Sequence, residues 1–270
     1  MRGARFSPPL PEGDLLKRIQ VNLPFPMLVE NLDAVLAMGL QPEIYFSGFT
    51  LDRLSGAEVE KTSKALTGKN IPSTFHAPFM DLNPGAVDER VREVTVLRIL
   101  QVLKRVPSFR PRVIVLHPGY DPRRYDGDVD LWLKNSLLTW KPLVKEAESL
   151  GVKMALENVF EENPEPLRRL LDEMNSPFLG YCLDAGHGNL FSEVPLEDWV
   201  DILGSRLLEI HLHDNHGEED EHLPLGRGSI DFPGLFSRLE EKKLQPIYTI
   251  EPHEIDLLQP SLEALKKYLG

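Results

Sequence analysis

The sequence predicts an α/β fold, a single (β/α)8 TIM barrel with its active site at the C-terminal ends of the strands. Three observations carry this. Eight short β-type runs alternate with helix-type runs from start to end. The 270 residues suit one such barrel, which commonly uses ~250. Six successive strand candidates end in His, Asp or Glu.

The elements follow in order. Arg18–Pro24 is the first strand candidate, with a helical stretch of weak regularity near Met27–Met38. Pro42–Phe46 is the second, followed by Ala57–Leu66, again weakly periodic. Ser73–Pro78 is the third, and Val87, Val91, Val94 and Leu97 then form one apolar helical stripe. Arg112–His117 is the fourth, and the helix after it carries Leu133, Leu137, Trp140, Val144 and Ala147 at spacings of three and four. Lys153–Asn158, Phe178–Asp184, Leu207–Asp214 and Pro246–Glu251 complete the eight. Shorter stripes follow them: Leu167, Leu170, Leu171 and Met174; Leu196, Trp199, Val200 and Leu203; Phe232, Leu235, Phe236 and Leu239; Leu262, Leu265 and Leu269. A doubly wound sheet is the rival, but no Gly-rich phosphate loop follows the first strand. Residues 1–17, with Pro-rich Ser7–Pro11, read as an extended lead-in, and 18–270 as the barrel. Trp132, Trp140 and Trp199 fall in outer helices, where core packing and a subunit contact explain them equally well; the oligomeric state is open.

Composition removes several classes. Apolar residues make up 41% and charged residues 27%, as in an ordinary globular chain. No run of ~18 apolar residues is present, so no membrane helix is expected, and Met1–Lys17 lacks the apolar core of a secretory signal. The lone Cys182 excludes an internal disulfide and a Cys-rich zinc module, and a reducing cytoplasm is the expected compartment. A net charge of −12 argues against holding nucleic acid by bulk charge.

The strand ends carry the chemistry. They read His76-Ala-Pro78, His117-Pro-Gly119, Glu157-Asn158, Asp184-Ala-Gly-His187, His211-Leu-His213-Asp214 and Glu251-Pro-His253. All eight histidines lie in these ends or in the loops after them. Neutral imidazole with carboxylate is a ligand set for zinc, manganese and related divalent ions. Without an ion, Glu157, Asp184 and Glu251 would repel at one barrel mouth. Each residue also has a plain structural reading: Glu157 paired with Lys153 or Arg112, Asp184 capping the next helix, Glu251 solvated. His216 and Glu218–Glu221 read as an acidic surface loop, and His253 as peripheral.

The loop after strand seven adds Asp220 and His222, then Leu223-Pro-Leu-Gly226-Arg-Gly228, whose glycines would let backbone pass close to a ligand. With His187 these two would hold a further ion. His211 and His213 are two residues apart and share a face, so either is a candidate ligand.

These motifs together resemble the superfamily of xylose isomerase-like TIM barrels, which also holds endonuclease IV. The carriers are His76-Ala-Pro-Phe79, Leu116-His-Pro-Gly119, Leu156-Glu-Asn158, Asp184-Ala-Gly-His187, His211-Leu-His-Asp214, Asp220-Glu-His222-Leu-Pro-Leu-Gly-Arg-Gly228 and Ile250-Glu251. The sugar isomerases and epimerases of that superfamily imply one divalent ion on Glu157, Asp184, His211 and Glu251. Both glutamates would then act as acid and base, and His187 would bind substrate. Endonuclease IV implies a three-zinc cluster on His76, His117, Glu157, Asp184, His187, His211, Asp220, His222 and Glu251, and every one of these positions carries the required residue type. Ketohexose epimerases tend to have arginine where His222 stands. Against DNA repair, His76 is followed by Ala-Pro-Phe-Met80 rather than a Tyr-Leu pair. Glu157-Asn158 is followed by Val159-Phe-Glu-Glu-Asn163 rather than a Gly-containing stretch. Basic residues in the strand-to-helix loops are confined to Arg123–Arg124 and Arg227.

The expected function is a divalent-metal enzyme with one to three ions, zinc favoured, manganese or magnesium admissible. A sugar or sugar-phosphate isomerase or epimerase comes first, with Glu157, Glu251 and His187 catalytic and His213, Asp214, Arg227 and Asn158 binding substrate. A multi-zinc phosphoesterase on abasic-site DNA or a smaller ester is the alternative, and only it admits nucleic acid as partner. A non-catalytic metal- or ligand-binding barrel is the third reading.

Overall fold

The computed structural model describes residues 19–252 and 255–269. The expected lead-in over 1–17 and His253 lie outside the described residues. The strands are β1 (Ile19–Pro24), β2 (Gln41–Tyr45), β3 (Thr74–His76), β4 (Val113–Leu116), β5 (Lys153–Glu157), β6 (Leu179–Asp184), β7 (Leu207–Leu212) and β8 (Ile247–Ile250). They close in sequence order into a barrel, all pairs parallel, with β1 meeting β8. Parallel strands need a crossover each, and helices fill these crossovers. No helix of the described residues is long and apolar enough to cross a membrane.

Strand alternation then sorts the side chains. On β7, Ile210 and Leu212 join the large core between strands and helices. Glu209 and His211 share the opposite face, and Glu209 reaches Thr74 on β3 and Thr249 on β8. The barrel interior holds a small cluster of Val113, Val115, Ala155 and Cys182. Above it, the same rows end in His117, Glu157 and Asp184. The site residues are therefore the top rungs of columns whose lower rungs fill the barrel.

Trp132, Trp140 and Trp199 are fully buried, so all three serve the core of this chain. One stripe departs from expectation. In the helix Glu89–Leu103 the inward face is Thr95, Ile99, Val102 and Leu103. Val91, Val94 and Leu97, with Val87 before the helix, face solvent, Leu97 at 62% exposure. The helix carries two apolar rows, and the row containing Arg98 is turned outward to bind Asp52 on the helix Gly48–Arg53.

Candidate metal centre

Glu157, at the end of β5, is the hub. It is buried, and its two oxygens face different partners. Oε2 lies 3.1 Å from His76 Nε2, 3.3 Å from His117 Nε2 and 3.6 Å from His211 Nδ1. Oε1 lies 3.3 Å from His187 Nδ1. Asp184, at the end of β6, is divided in the same way. Its Oδ1 accepts from the His187 amide at 2.6 Å, so it caps the short helix Ala185–Phe191 that carries His187. Its Oδ2 lies 3.7 Å from His211 Nδ1. Asp184 thus caps the helix and also turns an oxygen toward the cluster.

Glu251 Oε1 lies 3.3 Å from His211 Nδ1 and accepts from Asn22 Nδ2 at 3.0 Å. Asp220 Oδ2 lies 3.2 Å from His222 Nε2 and 3.7 Å from His187 Nε2. The nine residues that the resemblance implies as ligands thus meet in one cluster. Several subsets bring their donor atoms within 4.8 Å of one another: His76, His117 and Glu157; His76, His211 and Glu251; Glu157, Asp184 and His187; His213, Asp220 and His222.

Hydrogen bonds behind the cluster aim the rings. His76 Nδ1 donates to the Ala77 carbonyl at 2.9 Å, which turns Nε2 to Glu157 Oε2 at 3.1 Å. His211 Nε2 donates to Glu43 Oε2 at 3.2 Å, which turns Nδ1 to the carboxylates. His222 Nδ1 donates to the Glu251 carbonyl at 2.6 Å. Asn158 locks Asp184 from behind, accepting from its amide at 2.8 Å and donating to its carbonyl at 2.9 Å.

Charge within the cluster is paired. Burial alone would raise the Glu157 pKa, but His117, His211 and His187 hold it well below the usual 4.5. Burial opposes ionisation of Asp184 too, yet His187 and His213 bring it to about 2. His76 moves the other way: burial lowers it, and Glu157 with Glu43 and Glu251 outweighs burial to reach about 9. His187 is likewise held well above 6.5, because Asp184, Asp220 and Glu157 outweigh its burial. In the protein alone, protons on imidazoles do the work that a cation would do.

The donor set fits divalent ions. The buried Nδ1 atoms of His211 and His213 have no hydrogen-bond partner, although carboxylates surround both. Unsatisfied buried nitrogens of this kind are expensive unless something accepts their lone pairs. Mixed imidazole and carboxylate donors suit zinc best, with manganese and magnesium less favoured as histidine content rises.

The four residues expected to bind substrate sit differently. His213 is in the cluster, buried, its Nε2 3.1 Å from Asp184 Oδ1. Asn158 is buried behind Asp184. Asp214 is buried, and its carboxylate accepts from the amides of Asn215, Gly226, Gly228 and Ile230. It is a loop anchor, and the glycines of that loop bring backbone close to this carboxylate. Arg227 is exposed and does not line the cavity above the cluster.

That cavity has a volume of about 680 Å³. Its walls are Tyr45, Phe79, Met80, Leu82, Phe160 and Phe191, and Arg124 is the cationic side chain among them. Phe79 stacks on His117 at 4.3 Å. Sequence reasoning missed these walls and also missed Glu43 and Glu209. A signal was present for the glutamates, since each is the one carboxylate of its strand.

The fold and donor set define a (β/α)8 barrel whose strand ends gather histidines and carboxylates in groups that could hold a metal ion. Residues 36–268 match the family described as xylose isomerase-like TIM barrel, and the chain belongs to that family. A relative from Methanocaldococcus jannaschii, the uncharacterised protein MJ1311, is 36% identical over 202 residues, 72% of this chain and 69% of its own. A probable endonuclease 4 from Clostridium botulinum is 28% identical over 71% of this chain and 74% of its own. A solved structure described as a D-tagatose 3-epimerase-like protein superposes with a TM-score of 0.80 at 29% identity, covering 93% of this chain and 97% of that one.

Proposed function

We propose that the protein is a multinuclear, zinc-preferring phosphoesterase acting on a small phosphorylated molecule. One observation carries the reading. Glu157 turns Oε2 to His76, His117 and His211 and Oε1 to His187, as a carboxylate shared between neighbouring ions must, and Asp184, both of whose oxygens also face His213 Nε2, lies with Oδ1 toward His187 Nδ1 and Oδ2 toward His211 Nδ1. His76 and His117 lie on one side of Glu157, His187 with Asp220 and His222 on the other, and His211 with Glu251 between. Single-ion sugar chemistry has no use for His76, His117, Asp220 and His222 as donors.

When bound, the ions would supply Lewis acidity toward phosphoryl oxygens and acidify water. The chain's own residues do the rest. Glu157 and Asp184 fix the spacing of the donor groups. Arg124 offers a charge-assisted contact to a phosphate in the cavity. Glu251, on the cavity wall and steadied by Asn22, is placed to hold a proton of the attacking water or of the leaving oxygen. Tyr45, Phe79, Phe160 and Phe191 exclude bulk water around the reacting group. A duplex is a poor substrate, because Arg124 is the one arginine lining the cavity among the described residues and its neighbour Arg123 is committed to Asp121 at 3.0 Å. The lone buried Cys182 suits a reducing cytoplasm.

A second reading, sugar epimerisation, is favoured by the near-complete overlap with the epimerase-like structure. Elemental analysis and two assays separate them. Two to three zinc ions per chain, hydrolysis of a chromogenic phosphodiester, and about 100-fold loss of that hydrolysis in His222→Ala are expected. A single ion, with solvent deuterium entering a ketose and no ester cleavage, would replace this reading by the second.

A further inference from the structure

The cavity above the cluster is far larger than a phosphoryl group needs. Its volume of about 680 Å³ is that of pockets which enclose a drug-sized molecule. We infer that the substrate carries a flat aromatic ring beside its phosphoryl group, a nucleobase or an aryl group, and that Phe160 and Phe191 seat this ring. The inference rests on the phosphoesterase reading and names its substrate class.

The aromatic walls fall into two groups with different packing. Phe79 stacks on His117 at 4.3 Å and meets the edge of His76 at 5.5 Å. Tyr45 touches His76 and Phe79. These two rings back the histidines of the cluster. Phe160, in the loop after β5, and Phe191, at the end of the helix Ala185–Phe191, meet each other instead. Their centroids are 5.0 Å apart and their planes cross at 69°. Two rings near a right angle form a corner, which offers a flat ring one face to stack on and one edge to meet. Both rings are half-buried and both line the cavity, so a ligand can cover what the fold leaves open. Phe191 lies 6.4 Å from His187, so the corner starts beside the cluster and a short linker joins the two.

The polar side chains of the walls argue against a polyhydroxylated body at this corner. Asn22 Nδ2 already donates to Glu43 at 2.7 Å and to Glu251 at 3.0 Å. Asp121 already accepts from the Arg123 amide and from its guanidinium. Hydroxyls closed against apolar walls lose water without replacement, whereas an aromatic face needs no partner there. Met80 lines the same cavity and is 69% exposed, a large apolar side chain left uncovered at the rim. A thioether of this kind adapts to the edge of a ring.

The test is calorimetric binding to the zinc-loaded full chain, freed of unbound zinc, with zinc per chain and phosphodiester cleavage measured first. AMP is compared with ribose 5-phosphate, which lacks the base, and phenyl phosphate with methyl phosphate. The aromatic member of a pair should bind at least about tenfold tighter. That advantage in the first pair alone assigns a nucleobase, in the second alone a smaller aryl group, and in both a site open to either. Phe160→Leu and Phe191→Leu keep apolar bulk and remove the ring, and each should bring the ratio to within about threefold of one. Phe160→Tyr keeps the ring and should keep the ratio. Equal binding within both pairs, by a parent with two or more zinc ions and ester cleavage, overturns this inference alone. A ratio that both leucine variants retain overturns the seat at Phe160 and Phe191. Fewer than two zinc ions and no ester cleavage overturn the phosphoesterase reading and this inference with it.

Discussion

Glu161 sits in the loop that follows β5, four residues past Glu157, and is 2% exposed. Its Oε2 accepts from the Val159 amide at 2.7 Å, while Oε1 has no partner. Burial pushes its pKa up from 4.5 to about 7, against the pull of the Val159 amide. The folded protein therefore binds this proton more tightly than the unfolded chain does. Stability linked to Glu161 is greatest below pH 4.5, falls as pH rises, and stays lost above about pH 7. The gap between 4.5 and about 7 corresponds to about 3 kcal/mol. Glu161→Gln imitates the protonated acid and cannot ionise. Its stability relative to the parent should rise by about 3 kcal/mol between pH 5 and pH 8. Urea unfolding at both pH values, at equal metal content, reads this through the fluorescence of buried Trp132, Trp140 and Trp199. A difference between variant and parent that is the same at both pH values would refute the reasoning.

Two further predictions concern groups behind the site. Asp214→Asn should destabilise the protein by about 2–4 kcal/mol, since one carboxylate serves four backbone amides and an amide group presents a donor to one of them. Limited proteolysis should then show new cleavage within residues 215–230, and an unchanged digest would count against the anchor role. Glu43→Leu should weaken metal binding about 10–100-fold, because His211 Nε2 loses its acceptor and the ring its direction. Glu43→Gln retains an acceptor oxygen and should lose only a few-fold. Equal zinc affinities for both variants, measured by competition with a chelator, would show that Glu43 does not steer His211.

The barrel was legible because its signal is repeated eight times, and each strand lies within about two residues of its expected bounds. The cluster was legible for a related reason. His76, His117, Glu157, Asp184, His211 and Glu251 stand at strand ends, and a closed parallel barrel brings all such ends to one face. His187, Asp220 and His222 were legible as an Asp-x-His pair in one loop with a nearby histidine, but where they point was not, since loop and helix residues carry no period that fixes their direction. Arg227 was out of reach for the same reason: where a loop arginine points depends on the whole loop's path, here set by Asp214.

Asp214 itself was decidable from alternation. His211 and His213 share one face of the chain as it leaves β7, and Asp214 is one residue out of step with both. A residue out of step with two histidines that face the buried cluster points away from it, where backbone amides satisfy it. The outward row of Val91, Val94 and Leu97 was not decidable in this way. Its helix carries a second row, Thr95, Ile99 and Val102, with the same period. A 3.6-residue period states that a helix has faces, not which face meets the barrel. Arg98 breaks the tie, because its Asp52 partner lies on the helix Gly48–Arg53, one crossover earlier, and that pairing exists only once the two helices are neighbours. Tertiary contact, not local pattern, therefore turned the less polar-looking row to solvent.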